Sequence, residues 1–119
     1  MMETREAVLD FQYSEKMKSG LIIATGLLEQ LVSLKEEEFS GGRKVLIWYL
    51  EGLLREIRIA ENVLGQGRYR ALEGKVMEGV GRIQMSQYPE AQRSFSEAIS
   101  LATTCCQSSM SILMEKKLI

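Results

Sequence analysis

With no histidine anywhere in its 119 residues, this sequence must draw any chemistry from carboxylates, lysines or two thiols. The missing imidazole removes the usual general base at neutral pH and every Ser-His or Cys-His nucleophile pair. It also removes the E-x-x-H ligand pairs of ferritin-like dimetal bundles. Asp10 is the only aspartate, so a magnesium site written as E-x-x-E followed downstream by E-x-x-D lacks its last ligand. Cys105 and Cys106 are adjacent, a spacing that rarely reaches disulfide geometry, and two thiolates alone do not make a structural zinc site. They read as small apolar side chains on or beside a helix face, in a reducing compartment. Glu36, Glu37 and Glu38 are consecutive, and successive helical residues point in different directions, so the run reads as the solvated end of a helix. No catalytic residue, metal ligand or cofactor is assigned.

Recognition is the remaining class of activity. Gly65, Gln66, Gly67 and Arg68 resemble a phosphate-cradling loop only in outline, because no strand precedes them and the G-x-x-x-x-G-K-[ST] pattern is missing; a turn between helices is the simpler reading. Charge is uneven along the chain. Residues 1–42 carry four basic and eight acidic groups, residues 43–82 carry eight and five, and the remainder carries three of each. That middle excess, which includes Arg68 and Arg70, is weaker than the footprint of a typical nucleic-acid binder. It reads first as solvated helix faces and second as a patch for RNA or an acidic partner. Trp48 and Tyr49 form either part of a core or an exposed recognition pair, and an aromatic beside a leucine stripe is more often core.

These residues must be positioned by helices. The single proline and the scarcity of β-branched alternation leave little from which to build a sheet. A first helix is expected over about residues 3–38, with Met17, Leu21, Ala24, Leu28 and Leu31 on one face and Gly20 as a point where it bends or divides. Ser40, Gly41 and Gly42 are expected to form the turn after it. A second helix follows over about 44–64, with Leu46, Leu50, Leu53, Ile57 and Ala60 in line. A third covers about 69–85, with Gly74, Gly79 and Gly81 allowing another helix to come close. Pro89 suits the first turn of a fourth helix, expected over about 88–117 and continuing through the cysteines. The apolar end of the chain, Ile112, Leu113, Met114, Leu118 and Ile119, is expected to dock on this molecule or on a second copy.

Within this plan Tyr88, Ala91, Phe95, Ala98 and Leu101 follow the spacing Y-x-x-A-x-x-x-F-x-x-A-x-x-L, and Gly79 takes the small position of the preceding helix. Residues 71–104 thereby resemble one tetratricopeptide repeat, a helical hairpin of about 34 residues. Lys75 and Glu78 stand where that family has an aromatic and a leucine, Thr103 stands at its terminal proline, and no second repeat is detectable one period earlier. The resemblance implies an interaction scaffold without catalysis, and one such unit needs a neighbouring layer from the first two helices.

The expectation is therefore an all-α, antiparallel bundle of four to five helices making a single domain over residues 1–119. Its expected task is to bind a protein partner, and to pair as a homodimer through the C-terminal segment. Trp48, Tyr49, Arg68, Arg70, Met110, Leu113 and Met114 are the candidate contact residues, with a nucleic-acid role for the basic middle region as the alternative. The longest apolar runs are far short of the roughly 20 residues needed to cross a bilayer. The first 20 residues lack a secretory block, so a cytoplasmic chain is expected.

Overall fold

A computed structural model describes residues 2–118. The chain forms helices α1 (Thr4–Leu31), α2 (Glu36–Leu64), α3 (Arg70–Gln84) and α4 (Tyr88–Glu115). They run alternately up and down and close into a ring: α1 packs on α2 and α4, and α3 packs on the same two helices. The described residues contain no strand, so the all-α antiparallel bundle is the observed fold. The core follows the helical period. Met17, Leu21, Ala24, Leu28 and Leu31 of α1 face Leu46, Leu50, Leu53, Ile57 and Ala60 of α2, with Leu72, Val76 and Ile83 of α3 and Ala91, Phe95, Ala98 and Ala102 of α4 completing it.

The first turn lies elsewhere than expected. The chain breaks at residues 32–35, and Ser40, Gly41 and Gly42 lie inside α2. Glu36, Glu37 and Glu38 occupy the first turn of α2, where carboxylates complement the positive end of the helix dipole. The glutamate run thus starts the second helix and does not end the first. Gly42 serves close packing: a Cβ there would fall 2.7 Å from Leu34 Cδ1 and 3.2 Å from Leu31 Cδ1. Gly20 does not divide α1 either. It lets Leu53 approach, with Cδ1 3.0 Å from where its Cβ would be, and its carbonyl accepts the Tyr49 hydroxyl at 2.9 Å.

Of the three glycines in α3, only Gly79 meets a neighbour, the ring of Phe95; Gly74 and Gly81 face open space. Gly79, Ala91 and Ala98 are buried where α3 and α4 meet. The last helix continues through Cys105 and Cys106, both free thiols, to Glu115. Ile119 lies outside the described residues.

The connection between α2 and α3 positions a functional-looking cluster. Gly65 and Gly67 take φ of 69° and 68°, a left-handed region open to glycine, and reverse the chain. The Glu61 carboxylate then accepts the backbone N–H of Gly67 at 2.7 Å and of Tyr69 at 2.8 Å. At 15 residues α3 is about half the length of its neighbours, and the side chain of Tyr69, just before it, is among the largest that are fully buried.

Candidate functional site

Two features of the bundle are candidates for function, one inside it and one on its surface. The internal one is Asp10, which is 0% exposed on α1. Its Oδ1 accepts the hydroxyl of Tyr69 and its Oδ2 accepts that of Ser109, while Arg68 Nη1 stands 3.8 Å from Oδ2. Ser109 shares its hydroxyl with the Cys105 carbonyl at 2.9 Å, and Ser14 donates to the Asp10 backbone carbonyl. A buried carboxylate without such donors would be strongly destabilising, so this constellation satisfies the polar group that it encloses. It ties α1 to the α2–α3 connection and to α4.

This geometry is that of a clasp. Each carboxylate oxygen accepts a hydroxyl of the chain itself, and the group is enclosed. Burial, followed by the hydrogen bond to Asp10, pushes the Tyr69 hydroxyl far above the ordinary tyrosine range. Burial, followed by the nearby Asp10 charge, also pushes the Cys105 thiol up, away from the reactive thiolate. Cys106 is raised too, again chiefly by burial. Among the described residues, no group of three or more carboxylate or cysteine side chains could hold a metal ion.

The direction of these shifts gives an expected pH dependence. Tyr69, Cys105 and Cys106 all hold their protons to higher pH in the folded than in the unfolded chain. Their contribution is therefore complete below the unfolded values of about 8.5 for cysteine and 10 for tyrosine, and declines as the pH rises through and beyond them. Urea midpoints should stay level from neutral pH to about 8, then fall toward pH 10.5. Tyr69→Phe should be less stable at neutral pH but show a flatter alkaline decline. An equal slope in wild type and variant would contradict the assignment to Tyr69.

The surface feature is the outer seam between α1 and α2. Trp48 is 62% exposed, and Ile23, Leu27, Val45 and Ile59 are also exposed along the same seam. Trp48, Ile23, Ile59, Gly20 and Gly52 line a groove of about 730 Å³; toward α1's end, Leu27, Leu34, Gly41 and Val45 line a second hollow of about 310 Å³. The Lys16–Glu56 ion pair, at 3.0 Å, crosses the seam. No protein family, curated protein or solved structure matches this chain. Chemistry and geometry carry the functional reading.

The expected contact residues are dispersed. Trp48 lies on the open seam, whereas Tyr49 beside it is half-buried, held by the Gly20 carbonyl. Arg68 is turned inward toward Asp10, with its Nε buried and unpartnered, and Arg70 is exposed on the first residue of α3. At the C-terminal end Met110 and Met114 are exposed, but Leu113 is 3% exposed and belongs to the intramolecular packing. Leu113 is therefore corrected from a contact residue to a core residue, because it faces α1 on the same stripe as Cys106 and Ser109. Sequence reasoning missed Ile23, Val45 and Ile59. Their signal was a second heptad stripe: positions 16, 20, 23, 27 and 30 on α1, and 41, 45, 48, 52, 55 and 59 on α2, each beside its core stripe.

The basic residues of the middle region are largely engaged within the molecule. Arg58 pairs with Glu73 at 2.7 Å, Lys75 with Glu97 at 2.5 Å and with Glu78 at 3.5 Å, and Arg43 donates to the Gln84 carbonyl at 2.7 Å. Among the described residues, no helix is long and apolar enough to cross a membrane.

Proposed function

We propose that this chain is a non-catalytic protein-interaction module whose working surface is the α1–α2 seam around Trp48, which receives a helix of a protein partner. The observation that carries the reading is an exposed tryptophan set in a groove whose lining is mostly apolar and small side chains, joined by Lys16, Arg55 and Glu56. Tryptophan is enriched among residues that dominate binding energy, and an amphipathic helix in an apolar groove is a recurring recognition mode. The resemblance of α3–α4 to a tetratricopeptide hairpin agrees with this reading, since Gly79, Ala91 and Ala98 pack where that pattern requires small residues. So does the state of Asp10, a buried group whose hydrogen bonds are all directed inward. A nucleic-acid role has less support, because most of the basic excess is spent on intramolecular pairs.

The test is affinity capture from native cell extract with the tagged wild type and with Trp48→Glu, whose helical circular dichroism and melting temperature should be unchanged. Proteins held by the wild type and released by the variant support the reading. Equal recovery by both would overturn it.

A further inference from the structure

We infer that the helix received by this seam is that of a second copy, so that the chain forms a two-fold dimer in which α2 packs antiparallel on α2. This rests on the proposed use of the seam and names its occupant. Two glycines point to it. Gly52 and Gly41 lie within α2, where glycine is destabilising relative to alanine, yet a Cβ at Gly41 would meet nothing within 4 Å and one at Gly52 only the flexible end of Arg55 at 3.7 Å. Packing within one chain therefore gives no reason for either.

A two-fold axis crossing α2 midway between Trp48 and Gly52 supplies that reason. It places the exposed Trp48 opposite Gly52 of the second copy, and the exposed Ile59 opposite Gly41 of the second copy, so that each large side chain meets a gap. On α1 the register is set by Gly20, which lies across from Tyr49 and Leu53 of its own chain. The axis then brings the exposed Ile23 opposite Gly20 of the second copy, with no further adjustment. Neither helix is left with like charges opposed along the stripe.

The area is adequate. Two helices of 28 and 29 residues, side by side, offer a face roughly 40 Å long and 20 Å wide, or about 800 Å², which is what each partner of a stable complex typically buries. Isologous pairing of one self-complementary patch is also the commonest symmetry of soluble oligomers.

Trp48 is the only tryptophan, so the protein carries its own probe. Sedimentation and tryptophan fluorescence should be measured together from low to high micromolar concentration. Dimerisation accompanied by a blue shift and by protection of Trp48 from acrylamide is the expected result. Trp48→Glu should weaken the dimer about 100-fold. Gly52→Leu should weaken it comparably while raising the melting temperature of the dilute monomer, a combination that a misfolded variant does not give. A dimer in which Trp48 stays quenchable and both variants still pair would place the contact elsewhere, for instance at Met110 and Met114, and overturn the inference. A monomer at every concentration would overturn it as well. In that case release of a different protein by Trp48→Glu in the capture experiment would leave the interaction reading standing, whereas recovery of the chain's own copy alone supports both.

Discussion

Asp10→Ala is expected to lower folding stability by about 3–5 kcal/mol. The truncation removes the acceptor of the Tyr69 hydroxyl and leaves that donor in a dry interior, at a desolvation cost of about 1–3 kcal/mol, while Ser109 loses one of two acceptors and keeps the Cys105 carbonyl. It also leaves Arg68 without its carboxylate, although that side chain is partly exposed and can turn to solvent. Because the group ties α1 to the α2–α3 connection and to α4, loss should be felt at the end of the bundle that α3 does not reach. The contrasting variant is Asp10→Leu combined with Tyr69→Phe and Ser109→Ala. With every polar member replaced, most of the stability should return, since a buried network is costly chiefly when only part of it is left. Urea unfolding of the three proteins checks this. An Asp10→Ala protein within 1 kcal/mol of wild type would show that the cluster is not a clasp.

Gly79 and Phe95 give the second large expectation. A methyl group at position 79 would enter the Phe95 ring, 2.5 Å from Cζ and 2.9 Å from Cδ1. Alanine gains about 1 kcal/mol in helix propensity over glycine, but overlap with a rigid, fully buried ring outweighs it, and Gly79→Ala should be destabilised by about 1–3 kcal/mol overall. Phe95→Ala should cost about 3–5 kcal/mol through the cavity it opens between α3 and α4. In that background Gly79→Ala should be neutral or stabilising, because the ring it struck is gone. The non-additivity, measured as a double-mutant cycle in urea, is the diagnostic quantity. Additive effects would mean that the two residues do not touch.

Much of the fold was legible before any coordinate. The Leu21, Leu28 and Leu31 stripe, the Leu50, Leu53 and Ile57 stripe, and the small face of α4 all emerged from helical periodicity and all lie in the core. Pro89 marked the start of α4 correctly, because a fixed φ and a missing N–H suit only that end of a helix. The turn after α1 was misplaced because glycine has two uses. Gly42 reads as a chain reversal in isolation, but in the bundle it is a contact point beneath Leu34. The glutamate run was misread for the related reason that carboxylates both solvate a helix surface and favour its first turn.

The candidate site was only partly legible. Trp48 and Arg68 stood out as residue types, but one proved to face solvent and the other the interior. Asp10 was noticed as the lone aspartate, with no hint that it would be a buried acceptor. Its donors lie 59 and 99 positions away in the chain.

By itself the sequence determined that this chain is helical, where its apolar faces lie and which reactions lack the side chains to run. Those properties are local: a residue's place on a helix follows from its distance, in positions, to neighbours a few steps away. Only the tertiary structure decided that Asp10 is enclosed, that Leu113 is core, and that the α1–α2 seam remains uncovered. These depend on how the ring of helices closes, with α1 meeting α4 across nearly the whole chain, and no short-range pattern encodes which stripe that closure leaves open.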